Sequence, residues 1–428
     1  IRLSGVLLMF KRKIISQILV GTGLVLFSSI GYTNSLKNVL VQSLVSDPIL
    51  KEADAELGAA KDRVEQAKGG HYPVVSLTGS KILSQYHKDQ SDYKDRKIVP
   101  GVRGSINLYA FGAIEKEVEK NKENEKYYNF KYYESREELA YTISELYLNA
   151  LLAKERIDVG QRNLQRHNEI LADIGNIVIN DEGRESEYAQ AEARAILVEQ
   201  EINDYQRDMY QNLTQLASYS GSQITEKDLT DPFSKLSVDA MYKNYSAKDS
   251  KLTATYQAQM AELETNMKDH ELSKLKKLPK IDLTATVTTE DREAGVNVNW
   301  DVFNHTSSYE VREKANLIAS SKERLDRVER NLRETTNLAQ LDIKRNTIQL
   351  KTIKKQIEAS TRVIEFYRLQ FDLARKTLIE LLNAHSELFN VEMAQVNTQG
   401  ALRKAKLDYL RSQGSLAEWA GFPKNARK

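Results

Sequence analysis

The stretch LAYTISELYLNALLAKERIDVGQRNLQRHNEILADIGNIV, residues Leu139 to Val178, decides the fold. Stepping along it alternately by four and three residues gives Leu139, Ile143, Leu146, Ala150, Ala153, Ile157, Gly160, Leu164, His167, Leu171, Ile174 and Val178. Eleven of these twelve positions are apolar or small, and Lys154, Glu155, Arg156 and Arg162 fall between them. A seven-residue repeat keeps one stripe facing a partner helix, so the stretch predicts the seam of a coiled coil. No proline lies between Gly101 and Asp231, so the helix can begin near Ile114. At 1.5 Å per residue it would run for roughly 100 Å.

Working outward, a second seam returns along Tyr188, Ala191, Ala195, Val198, Ile202, Tyr205, Met209, Asn212, Leu216 and Tyr219 and stops at Ser220-Gly221. Between the two, Asp181-Glu182-Gly183 marks a tight polar turn, which makes an antiparallel hairpin of long helices. Upstream, Asn34 to Lys68 reads as a helix with a break or new start at Asp47-Pro48, and with Leu50, Ala53, Leu57, Ala60 and Val64 on one face. The period then changes to two. Val75 and Leu77 alternate with Ser76 and Thr78, and after the polar turn Lys88 to Lys97, Val102, Gly104, Ile106 and Leu108 alternate with Arg103, Ser105 and Asn107. Alternation of this kind predicts two half-buried strands.

The plan then repeats. A helix from Met241 to Leu278 precedes two strands, in which Ile281, Leu283, Ala285 and Val287 alternate with Asp282, Thr284 and Thr286, and Val296 and Val298 with Asn297 and Asn299. A third seam runs from Leu332 through Ala339, Ile343, Leu350, Ile353, Ile357, Ile364 and Phe371 to Leu378, and a fourth from Leu388 to Trp419. Leu216 to Gly221 matches Leu416 to Gly421 at an offset of 200, and Asn107 to Gly112 matches Asn299 to Asn304 at 192. The expected organisation is a first repeat over residues 32–221, with a β-hairpin at 74–111 and long helices at 112–178 and 185–220. A linker at 222–240 leads to a second repeat over 241–421, with a hairpin at 280–303 and long helices at 305–378 and 380–420. Residues 422–428 form a tail.

Composition narrows the function. The 428 residues carry 62 basic and 60 acidic side chains, six prolines and no cysteine. Near-cancelling charge implies no polyanion, and hence no nucleic-acid, partner. The mean hydropathy of −0.54 argues against a multi-span helical membrane protein. The missing cysteine excludes disulfides and thiolate catalysis. The six histidines are scattered without metal-ligand spacing, and neither a phosphate-binding loop nor a nucleophile elbow is present. No cofactor and no enzyme activity are expected. His167, alone on its seam, reads as a packed residue rather than a ligand. Met9-Phe10-Lys11-Arg12-Lys13, the apolar run Ile14 to Ile30 and Ser29-Ile30-Gly31 have the layout of a secretory signal over residues 1–31, with the start of translation at Met9. The alternative reading of that run is an uncleaved anchor.

Four strands cannot close a barrel, and an open sheet of four leaves bare edges. Strands of about nine to eleven residues with one apolar face suit a transmembrane barrel. Several chains pooling their hairpins would put Ser76, Thr78, Asn107, Thr284, Thr286, Asn297 and Asn299 on a water-filled lumen. A soluble sheet capping a non-pore periplasmic coiled-coil scaffold is the alternative.

The whole mature chain resembles the TolC family of trimeric outer-membrane channels. Asp47-Pro48-Ile49-Leu50, Tyr72-Pro73-Val74-Val75 and the corner Asn107 to Gly112 carry the likeness, and the stretches Ser186 to Ala193 and Thr377 to Leu388 carry it most specifically. The resemblance implies a mainly α fold with a small β part: a duplicated repeat whose trimer forms a 12-stranded barrel and a helical periplasmic tunnel in the Gram-negative outer membrane. It implies docking to a periplasmic membrane-fusion adaptor protein and to an inner-membrane ABC or other transporter. By position, Glu380 resembles an acid of the entrance constriction, and Asn383 stands where the family has a second. Glu187 and Lys376 match a pair whose salt bridge holds the entrance shut. The family's glycine before this tip is replaced within Ala374-Arg375-Lys376. The tip sequences Gly183 to Glu187 and Leu381 to Ala384 look closer to members serving type I protein secretion than to those serving small-molecule efflux.

Overall fold

A computed structural model describes residues 35–81, 98–179, 181–221, 223–247 and 249–423. The expected signal segment, the whole of the 88–97 turn and the last five residues lie outside these. The elements in chain order are α1 (Leu36–Ser46), α2 (Pro48–Lys68), β1 (Val74–Ser80), β2 (Val99–Tyr109), α3 (Ala113–Val178), α4 (Glu185–Ser220), α5 (Val238–Tyr245), α6 (Ala254–Leu275), β3 (Lys280–Thr288), β4 (Arg292–Asn299), α7 (His305–Asp372), α8 (Leu378–Ser412) and α9 (Leu416–Ala420). Short 3₁₀ turns punctuate the connections.

α3 and α7, of 66 and 68 residues, each fold back on a shorter partner, α4 and α8. Between Leu332 and Phe371 nearly every position of α7 withdrawn from solvent belongs to the heptad seam, with Ala339, Ile343 and Ile353 fully buried. The α3–α4 seam closes tightly because Gly160 lets Ile202 in: a Cβ at Gly160 would stand 2.8 Å from Ile202 Cγ1. The helices beside the strands fill the rest. α2 lies along the start of α3, with Arg63 stacked on the Tyr128 ring. α6 wedges between α3 and α7, pairing Lys268 with Glu119 and Glu262 with Arg324, while Asn266 donates to Ser321.

The main core gathers α1, the middle of α3, the ends of α4 and α8, α9, and the segment between α4 and α5. That segment was expected to be a linker, but it is built into the core: Ile224, Leu229 and Phe233 are buried, and Phe233 packs on Trp419. Tyr147, fully buried in α3, donates to carbonyls of the segment and accepts from Thr230 N at 2.9 Å. Arg403 of α8 grips Glu155 with two bonds of 2.7 Å and reaches Asp231 at 2.9 Å. A guanidinium so enclosed stays favourable because its donors meet carboxylates.

Two helices expected to be continuous are broken. The Met241–Leu278 helix is two, α5 and α6, since Asp249 and Thr253 accept bonds from Lys251 N and Tyr256 N and so start new helical segments. The 380–420 helix ends at Ser412, because Gly414 takes a left-handed φ of +58° and α9 starts afresh after Ser415. Glu137 then accepts from Leu416 N and Ala417 N, satisfying the first amides of α9.

The strands form one antiparallel meander in the order β1-β2-β3-β4, with β2–β3 pairing joining the two repeats. A bulge at Leu108 interrupts β2 beside its corner, where Phe111 and Gly112 adopt φ of +54° and +83° and turn the chain into α3.

Replacing Gly160 by leucine tests the α3–α4 seam. Helix propensity favours the change by about 1 kcal/mol, but overpacking of 1–3 kcal/mol or more at so close a contact outweighs it, so stability should fall by roughly that amount. Thermal melting followed by circular dichroism checks this, and an unchanged midpoint counts against the close approach.

Candidate functional site: the sheet face and the helical tips

In an antiparallel sheet, residues directly paired across strands share a face, so the register sorts the side chains. One face carries the rows Ser76–Arg103–Thr286–Glu293, Thr78–Gly101–Thr288, Ser105–Thr284–Gly295, Asn107–Asp282–Asn297 and Lys280–Asn299. The seven residues expected to line a lumen all lie on it. Asn107 donates to Asp282 at 2.8 Å, and Asn297 to Thr284 at 2.8 Å, so the polar set is tied together across strands. The other face carries Val75–Gly104–Ala285–Ala294, Leu77–Val102–Val287–Arg292 and Ile106–Leu283–Val296. It is bare: Leu77 is 86% exposed and Val75 71%. Where the sheet meets the helices, Tyr72, Tyr109, Trp300 and Phe303 are also exposed, and Trp300 Nε1 donates to Lys277 O at 3.1 Å.

At the far ends of α3 and α7 lie two turns. The first holds Asp181, whose carboxylate accepts from Gly183 N, and Arg184, which approaches Glu187 at 3.4 Å. At the second, Ala374 adopts a left-handed φ of +53°. The turn thus takes at an alanine a conformation that a glycine would hold without strain. Thr377 and Glu380 then form a capping box, in which Glu380 N bonds the Thr377 hydroxyl and the Glu380 carboxylate accepts from Thr377 N at 3.0 Å.

Lys376 lies 2.6 Å from Glu380 and over the Tyr367 ring at 4.5 Å. Of the four residues expected at the entrance, the structure thus joins Lys376 to Glu380 and sets Glu187 beside Arg184. The expected Glu187–Lys376 bridge is not an ion pair of the single chain. The i to i+4 spacing and the capping box satisfy Lys376 locally, and Thr377-x-x-Glu380 is the sequence signal that could have shown it. Asn383 accepts from Arg194 of α4 at 3.0 Å, so it links the hairpins rather than standing free. Among the described residues no three His, Asp or Glu side chains are grouped to hold a metal.

The hydrogen bond from Lys376, then those from Thr377 backbone and side chain, hold the Glu380 carboxyl down to about 2 against an ordinary 4.5. A depressed carboxylate stabilises the fold above its unfolded pKa and loses that effect as pH falls through the folded value. The Lys376–Glu380 cap should therefore persist at pH 4 and fail only near pH 2, as side-chain carboxyl shifts in NMR would register. Ala374→Gly relieves the left-handed alanine and should stabilise the turn by up to about 1 kcal/mol, read as slower hydrogen exchange at residues 373–380. Faster exchange contradicts it.

Residues 39–222 match the outer membrane efflux protein family. Comparison with curated proteins finds no match. Among solved structures, the outer membrane protein VceC of Vibrio cholerae superposes with a TM-score of 0.77 at 14% identity, over 89% of this chain and 96% of that one. The Campylobacter jejuni CmeC outer membrane channel gives 0.73 at 16% identity, over 92% and 87%. The open state of the Neisseria gonorrhoeae MtrE outer membrane channel gives 0.73 at 14%, over 89% and 88%. The sequence likeness to the outer membrane efflux protein family thus lies over residues 39–222, while the likeness of fold to these outer-membrane channels extends over most of the chain.

Proposed function

We propose that three copies of this chain enclose one water-filled duct, pooling their sheets into a 12-stranded barrel in the outer membrane and their helices into a periplasmic tunnel. The observation that carries this is the sorted sheet: a polar face, a bare apolar face, and edges at β1 and β4 that pair with no further strand among the described residues. Such a sheet is unstable in water and complete only when closed in lipid. Among the described residues no helix is long and apolar enough to cross a membrane. The exposed aromatics at the sheet–helix junction suit the lipid–water boundary. The helices need neighbours as well. On α7, Leu338, Leu341, Ile348, Val363 and Phe366 are exposed. This stripe fits the flank of another copy.

Members of this family are transport ducts, not enzymes. The duct would dock by its tips to a periplasmic adaptor and an inner-membrane pump, which supplies the energy. The tip sequences favour type I protein secretion. The family's description as efflux proteins favours the second reading, export of small molecules. Glu380 and Asn383 would ring the entrance, and Glu187 and Lys376 would meet across neighbouring hairpins.

Purified mature protein should run as a trimer in detergent and give discrete single-channel currents in planar bilayers; a monomer without conductance ends the duct reading. Lys376→Glu sets two carboxylates together at the tip and should raise conductance, and an unchanged value argues against a gate there. Deleting the gene and comparing the secreted proteome with drug susceptibility separates the two cargo readings.

A further inference from the structure

α3 and α8 pack antiparallel in a constant register. Leu152 meets Gly400, Arg156 bonds Asn397, and Val159 clusters with Met393 and Val396. Nearer the tips, Ile170 and Ile174 cluster with Leu378 and Leu382. The same register, carried between these two apolar layers, places His167 opposite His385. Both are buried, at 2% and 7% exposed. His167 Nδ1 lies 3.0 Å from Asn163 O, while His385 Nδ1 and Asn163 Oδ1 have no hydrogen-bond partner among the described residues.

Charge around the pair is one-sided. Arg166 of α3, Arg194 of α4 and Arg368 of α7 face it. The acids at hand are already engaged: Glu392 of α8 takes two bonds from Arg166, at 2.8 and 2.9 Å, and Asp173 of α3 is paired with Arg368. Arg194 is turned to Asn383 and Ser386. A neutral imidazole pair tolerates this setting. An imidazolium finds no carboxylate free to receive it, and burial without such a partner is costly.

We propose that the His167–His385 layer is a proton-operated latch between the two helical hairpins, which holds α3 to α8 just behind the tips when neutral and releases them when protonated. The consequence for transport rests on the duct reading; the release itself does not. Burial, then His167, Arg166 and Arg368, push the His385 imidazole down to about 4 from 6.5. Burial also lowers His167, followed by Arg194 and Arg166 against the bond to Asn163. The packed state therefore binds protons less well than the parted one, and acidification below about pH 6.5 shifts the balance toward parting. The turn between α7 and α8 stays formed at that pH, because Lys376 keeps its bond to Glu380 of α8 and its place over Tyr367 of α7.

Hydrogen exchange on the full chain at pH 7.5 and 5, corrected for intrinsic rates, tests this. Residues 163–178 and 378–392 should lose protection by up to about thirty-fold at pH 5 in the wild-type protein. His385→Gln and His385→Leu should lose far less, with the α3–α4 contact near Ile202 unaffected in all three. Equal loss in wild type and both variants overturns the latch, as does no loss in any. In planar bilayers, wild-type conductance should rise at pH 5 and that of the variants should not. Absence of conductance at every pH ends the duct reading, while exchange still decides the latch.

Discussion

Helix α3 has to satisfy neighbours on several sides at once, and the rest of the described chain is arranged by that demand. Along its length it meets α2 and α6, then α1 and α9, then α4 and α8, and it buries 21 of its 66 residues. Its sequence counterpart α7 buries five of 68. The same repeat therefore plays two parts: one long helix is a spine inside the subunit, and the other is a flank. Close packing accounts for the difference in composition, since α3 carries Tyr133, Tyr141 and Tyr147 and the small residues Ala140, Ser144 and Gly160 on buried faces, where helix axes must approach.

Polar groups inside this packing are handled in two ways. Near the middle of the helices, ions are fully met: Arg403 with Glu155 and Asp231, Glu137 with the amides of α9. Elsewhere satisfaction is incomplete: Asn163 Oδ1 and His385 Nδ1 toward the tips, and Asn124 Oδ1 and Arg136 Nε nearer the strand end of α3, are left over. A fully paired network rigidifies and a partly paired one is easily shifted.

Much of this was legible in the sequence because each long element has one dominant period. The α7 seam was read from spacing alone, and the alternation in the strands placed Ser76, Asn107 and Thr284 on a common face before any register was known. What escaped was the choice among partners. A period says which face is buried, not which neighbour buries it, so the opposition of His167 and His385 depended on the α3–α8 register, which no local pattern encodes. The breaks at Thr253 and Gly414 were written in capping residues, but their neighbours continue the helical period and masked them. The residues around Lys376 were assigned by resemblance, while the local Thr377–Glu380 box, visible in four letters, gives Lys376 a nearer partner.

The meander joins β2 to β3 through pairs such as Arg103 with Thr286 and Ile106 with Leu283, strands with 170 residues between them. During synthesis the first hairpin is therefore finished long before the strand that must lie against it exists. Loop closure over that span is slow, and for its duration the growing chain displays an apolar sheet face and an open edge, the features that invite aggregation. Such a nascent chain needs an escort until its second half arrives, and the rate of its assembly is set by topology rather than by the strength of any one contact.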